Sequence, residues 1–190
     1  MKQIEKILLL TIIVNCPWSM FNGQCSIVNA QTLNVKVGNV IYQFPASQAG
    51  EMQYSDGTTL TVMGKTFQLA DISSMTVDDS EVTDNLVSVE YGTSSALVRI
   101  AGNVAQYVEA SVDGAHVSIS QWNTSAVDGD ELTYQLSGST SNGSLTLAGQ
   151  YKCTVSLAGV TLTNPTGAAI DISNSRRIQL SAKKNTVNTI

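Results

Sequence analysis

The sequence predicts an all-β chain in which antiparallel strands give way to short strands stacked in parallel coils. Three observations predict it. Apolar and polar residues alternate with period two through most of the chain after residue 30. Runs of strand formers are cut every few residues by Gly, Asn, Asp or Ser. From Leu132 onward, apolar pulses recur at Leu132/Tyr134/Leu136, Leu145/Leu147, Cys153/Val155/Leu157, Val160/Leu162, Ile170/Ile172 and Ile178/Leu180.

Residues 1–30 read as a signal peptide. Lys2 and Lys6 form a basic start, Ile7 to Val14 is an apolar run, and Val28-Asn29-Ala30 offers a cleavage site. The run is far shorter than the roughly 20 residues a membrane-spanning helix needs. The expected product is secreted or held at the cell surface, with no transmembrane anchor once the leader is removed. Cys16 and Cys25 fall inside the leader, and Asn22-Gly23-Gln24 before Cys25 does not suit a lipoprotein signal. Cys153 then has no partner for an intramolecular disulfide. Its phase with Val155 and Leu157 makes it an inert packing residue.

Residues 31–125 read as a β-rich region. "LNVKVGNVIYQF" alternates, breaks at Gly38 and resumes at Val40. Asp56-Gly57 stands between two β-rich runs and signals a tight hairpin. Residues 33–79 are therefore expected to form a small antiparallel unit. Shorter strands follow in "LVSVEY", "SALVRIAG", "YVEASV" and "HVSISQW". His116, the only histidine, alternates with Val117 and Ile119 and should point away from the core.

Residues 126–190 carry the pulses. Leu145 and Ile170 are 25 residues apart, and Val155 and Ile178 are 23 apart, within the range of stacked repeats. A strand of three to five residues cannot bury its apolar face alone. Coils that stack each pulse on the one before would form continuous internal columns, with Gly, Asn and Ser making the bends. An antiparallel sandwich also accounts for the alternation, but most gaps lack the Asn-Gly or Asp-Gly of a tight hairpin.

Charge divides the chain. Residues 31–130 hold twelve acids against Lys36, Lys65 and Arg99, a balance of −9, whereas residues 131–190 balance at +3. Duplex nucleic acid asks for a denser basic surface, so no nucleic-acid partner is expected. The Ser and Thr abundance has no His in sequence reach of Cys153 and forms no evident triad. Asp78/Asp79 and Asp128/Asp130 lie in turns, where Asp serves backbone geometry. Trp122 is left open, because Tyr134, the other aromatic suited to sugars, shares the inward phase of Leu132 and Leu136.

"LSGSTSNGS" (Leu136 to Ser144), "VSLAGVTLTNPTGAAIDI" (Val155 to Ile172) and "NTVNTI" (Asn185 to Ile190) together resemble carbohydrate-binding domain-containing proteins of the right-handed parallel β-helix type. The resemblance implies the first coils of such a helix. It also implies non-catalytic binding of polysaccharide, of an acidic or plant cell-wall kind, and calcium that stabilises the coils. The fold is shared with pectate-lyase-like enzymes, for which Arg177 or Lys152 would be the only basic candidates. The family's acidic residue after the "NT…NT" motif has no counterpart, since the sequence ends at Ile190, so a truncated domain without an assigned calcium ligand is expected. A structural or adhesive surface protein is the alternative. The candidate carbohydrate-binding residues are Ser156, Asp171, Arg177 and Gln179, which the alternation places outward.

Overall fold

Turn chemistry sets the first strands in a computed structural model that describes residues 31–49 and 52–190. The expected leader, with Cys16 and Cys25, lies outside the described residues. Gly38 closes the hairpin between β1 (Thr32–Val37) and β2 (Val40–Pro45). Asp56 and Gly57, with φ of 54° and 68°, turn β3 (Gln53–Ser55) into β4 (Thr59–Val62). Both angles are left-handed, which is why the Asp-Gly pair suits this turn. β5 (Lys65–Gln68) completes a three-stranded antiparallel sheet, and β6 (Ile72–Asp78) returns to pair antiparallel with β1.

The chain then builds two walls. β7 (Leu86–Tyr91) and β8 (Ala96–Ala101) form a hairpin, and a short 3-10 turn at Ala105–Tyr107 leads to β9 (Val108–Asp113) and β10 (Ala115–Gln121). β11 (Leu132–Thr140), β12 (Gly143–Gly149), β13 (Cys153–Leu162), β14 (Ile170–Asn174) and β15 (Ile178–Ala182) alternate between the walls. One wall is an eight-stranded sheet ordered β15-β13-β11-β7-β8-β2-β1-β6, and the other is ordered β14-β12-β10-β9.

β11 pairs in parallel with both β7 and β13, and β13 with β15. β10, β12 and β14 are parallel too. The sheets are mixed, however, because β1/β2, β1/β6, β7/β8 and β9/β10 are antiparallel. β2 also pairs in parallel with β8, so the eight-stranded sheet runs unbroken from the first strands to the last. Leu145 pairs with Ile170 as the repeat predicts. Val155 pairs with Leu180, whereas the 23-residue spacing matched it to Ile178. The reason is that both walls advance by the same coil: Cys153 meets Ile178 on one wall as Leu145 meets Ile170 on the other.

In-register stacking gathers the apolar side chains into rows. One row crosses all eight strands as Leu180, Val155, Tyr134, Val87, Ile100, Tyr42, Val35 and Met75. Its central members are fully buried, while Leu180, on the edge strand, is 67% exposed. Opposite it, Val117, Leu145 and Ile170 form a row on the second wall. Each buried Val or Leu contributes roughly 1.5–3 kcal/mol. At the N-terminal side, Phe67 packs edge-on against Tyr42 and Phe44, at 5.0 and 6.1 Å between ring centres. Lys65 ties the small sheet to β9 through Glu109, at 2.7 Å, with its ammonium 5.0 Å from the centre of the Tyr42 ring.

Gly138 sits at a register shift in β11, with φ of 84°, between Tyr91 of β7 and Val160 of β13. A Cβ there would stand 2.1 Å from the Tyr91 carbonyl oxygen, a backbone atom that cannot swing aside. Gly129, with φ of 90°, has open space where its Cβ would be. Both substitutions to Ala incur the left-handed penalty of about 1–2 kcal/mol, but only Gly138→Ala also forces two strands apart. Chemical denaturation should therefore show Gly138→Ala losing at least about 2 kcal/mol more than Gly129→Ala. Equal losses would mean that the close approach to β7 does not constrain the fold.

Candidate functional site

Alternation along a strand sends every second residue to the outer face of the wall. On β11, β13 and β15 those residues form in-register polar rungs. Thr133, Thr154 and Gln179 make one rung, and Gln135, Ser156 and Ser181 make the next. The second rung continues through Ser88 of β7 to Arg99 of β8, which pairs with Glu90 at 2.9 Å. Neighbouring strands lie about 4.8 Å apart, so hydroxyl and amide groups repeat at that spacing across the wall. Lys183 reaches back over the rung to donate to Gln135 Oε1 at 3.3 Å.

Charged residues sit one position before each strand. Glu131, Lys152 and Arg177 precede Leu132, Cys153 and Ile178, which share a rung. Arg177 Nη2 donates to both oxygens of Glu131, at 2.7 and 2.6 Å, while Lys152 Nζ stands 4.0 Å from the same carboxylate. Arg177 Nη1 also donates to Gln179 Oε1 at 3.3 Å. The groups remain substantially exposed, and such pairs contribute about 0–1 kcal/mol. Their effect is to hold the guanidinium in place and leave the Lys152 ammonium without a close partner of its own.

The structure brings Ser156, Arg177 and Gln179 onto one wall and places Asp171 on the other. Asp171 lies on β14, paired in register with Thr146 and exposed to solvent. The division follows from the chain's path, because β14 crosses to the second wall between β13 and β15. His116 points outward from β10 as its phase predicts, and its Nδ1 lies 2.9 Å from Ser144 Oγ.

A groove of about 720 Å³ borders the rungs, lined by Asp84, Leu86, Asp130, Glu131, Gln135 and Lys183 among others. Sequence reasoning missed Asp84, Gln135 and Lys183, because three separate segments converge there. The one available signal was the oxygen-rich run Asp128-Gly129-Asp130-Glu131. Asp128 and Gly129 form a turn with left-handed φ of 52° and 90°, and Asp128 Oδ2 accepts from Asn103 Nδ2 at 2.9 Å. Among the described residues, no three His, Cys, Asp or Glu side chains converge on a point that would hold a metal ion. No ligand to calcium is assigned.

Residues 113–190 match the family described as carbohydrate-binding domain-containing protein, and this match supports carbohydrate binding. No curated protein and no solved structure matches the chain. Among the described residues, no helix is long and apolar enough to cross a membrane.

Cys153, behind the rungs, is free and fully buried. Burial, and secondarily the Glu131 carboxylate, push its thiol from 9.0 up to about 11, against an opposing pull from Arg177. Tyr134 and Tyr91 are likewise pushed up by burial. A raised value in the folded state means that its stabilising effect is complete below the unfolded value and is lost as pH climbs through the folded one. Denaturation midpoints should hold level to about pH 9 and fall toward pH 11, with Cys153 accounting for about 1–2 kcal/mol of the loss. Cys153→Val should flatten that part of the slope. A slope unchanged by the substitution would contradict the assignment to this thiol.

Proposed function

We propose that this chain is an exported, non-catalytic polysaccharide-binding protein whose parallel strands form coils of a right-handed β-helix. The carrying observation is the pair of polar rungs, Thr133/Thr154/Gln179 and Gln135/Ser156/Ser181, which lie within the segment that matches the carbohydrate-binding family and border a groove. An extended glycan laid across the strands meets a hydroxyl or amide at each strand, and the two rungs offer it donors and acceptors on both edges. Lys152, Arg177 and Lys183 set positive charge on this face against Asp84, Asp130 and Glu131 at the groove, so the face carries both signs and neutral and acidic polymers are both tested. The export reading rests on the leader-like residues 1–30.

Binding here needs no reaction. Arg177, one of the two basic residues a lyase would use, has its guanidinium held by Glu131 and Gln179. Calcium remains the ion the family resemblance calls for, and binding is accordingly tested with and without it.

The test is co-sedimentation of the protein with an insoluble neutral glucan and with a polyuronate gel, each with added calcium and with chelator. Retention by at least one polymer without release of soluble sugar is expected. The double variant Gln135→Ala/Gln179→Ala should lose about tenfold in affinity, since each hydrogen bond contributes about 0.5–1.5 kcal/mol, and should keep the parent's melting temperature. Release of unsaturated oligosaccharides, or undiminished binding by the double variant, would overturn the reading.

A further inference from the structure

Beyond Gln121, the last inward residue of β10, the chain turns the largest apolar side chain of the described residues toward solvent. Trp122 is 43% exposed, although its neighbours Gln121 and Asn123 are 3% and 6% exposed. The two flanking amides bond to each other, Gln121 Nε2 to Asn123 Oδ1 at 2.6 Å, and Asn123 Nδ2 donates on to the Ser125 carbonyl at 2.7 Å. The Trp122 amide donates to the Tyr107 carbonyl at 3.2 Å, which fixes the indole's attachment beside the 3-10 turn. The ring is thus presented by anchored backbone on both sides, and nothing in the core requires it to be there.

Around it lies a hollow of about 400 Å³, within the range of small-ligand sites, lined by Trp122, Tyr107, Asn103, Gln106 and Asp128 together with the 123–127 segment. Two aromatic residues share the lining with four planar amide or carboxylate groups, those of Asn103, Gln106, Asn123 and Asp128. This mixture fits a pyranose ring better than other ligands of its size. A sugar has one apolar face of C–H groups to lay on an aromatic ring, and a rim of hydroxyls that pair with amides and carboxylates. An apolar ligand would cover the Gln106 amide and the free oxygen of Asp128 without pairing them. A nucleic acid would bring phosphates to Asp128.

Charge narrows the sugar further. Asp128 is the one charged side chain in the lining, and Asn103 Nδ2 already holds its Oδ2 at 2.9 Å, leaving the other oxygen free to accept from a hydroxyl. The surrounding residues 31–130 carry a balance of −9. A uronate carboxylate would meet repulsion here, whereas a neutral hexose or pentose would not. The hollow and the groove beside the polar rungs meet at the turn Val127–Asp130, whose two sides they share.

We infer that the Trp122–Tyr107 hollow is a separate subsite for neutral sugar units, stacking one pyranose on Trp122 and pairing its hydroxyls with Gln106 and Asp128. The inference takes its ligand class from the carbohydrate-binding reading, but it concerns other residues and a preference for neutral units.

The experiment is calorimetric titration of the full chain with neutral hexaoses (gluco-, manno- and xylo-configured) and with a hexagalacturonate of equal length. At least one neutral hexaose should bind. Trp122→Ala should weaken that binding by about tenfold or more, and Trp122→Phe by less. Gln106→Ala, an exposed change remote from the core, should weaken it several-fold and serves should Trp122→Ala fail to fold. Thr146→Ala, an exposed change on β12 that lines neither the hollow nor the groove, should leave it within about twofold. The hexagalacturonate should not respond to Trp122 substitution. The subsite is overturned if no neutral hexaose binds, if Trp122→Ala and Gln106→Ala both bind like the parent, or if the uronate is the ligand lost with Trp122. The rung reading fails separately, by the double variant's behaviour on polymer.

Discussion

Everything in this fold depends on parallel, in-register pairing of β7, β11, β13 and β15. Side chains on a strand repeat every two residues, so a slip of one position would carry Val155, Leu157 and Cys153 to the solvent and drive Thr154 and Ser156 inward. The buried rows prevent that slip, because each strand contributes several apolar residues whose exposure costs about 1.5–3 kcal/mol apiece. The same register that closes the core therefore aligns the polar rungs. A binding face of this kind needs no separate means of alignment: it is the reverse side of the packing.

The constraint reaches the N-terminal strands through the β7/β8 hairpin. β7 is parallel to β11 on one side and antiparallel to β8 on the other, and β8 passes the row on to β2 in parallel. The apolar row from Val155 to Val35 crosses this change of direction without losing register. At Gly138 the strands come too close for a side chain, and there the register shifts by the length of a bulge. Farther along β13, Asn188 accepts from the Gly159 and Val160 amides at 2.9 and 3.0 Å, and Thr189 bridges to Thr161. The final residues thus satisfy backbone groups on β13 beyond the reach of β15.

Local features of this architecture were legible in the sequence. The Asp56-Gly57 turn, the break at Gly38, the burial of Cys153 and the Leu145–Ile170 repeat all follow from residue type and spacing. Long-range partnership did not follow. Nothing near β2 indicates that it will lie beside β8, because the alternation of Val40, Tyr42 and Phe44 suits any neighbour with a matching apolar face. The candidate residues show the same division. Ser156 and Gln179 were correctly placed outward by phase, but phase cannot tell which of two walls a strand joins, and Asp171 went to the other one. Gln135 and Lys183 were missed because the groove exists only after three segments converge.

Energetics explain why the polar rungs and the aromatic hollow complement each other. A hydroxyl or amide on an exposed wall is already hydrated, so each hydrogen bond to a sugar replaces one to water and gains about 1 kcal/mol. Rungs of this kind would therefore bind weakly at each strand and depend on a long ligand that engages several at once. An exposed indole works differently, since covering it with the apolar face of a sugar removes hydrocarbon surface from water at one point. The ion pair between Arg177 and Glu131 adds little energy in solvent, yet it holds Gln179 and fixes the border of the rungs. A glycan long enough to cross the Val127–Asp130 turn would meet both kinds of surface in succession, first the one that aligns it by hydrogen bonds and then the one that anchors it by burial.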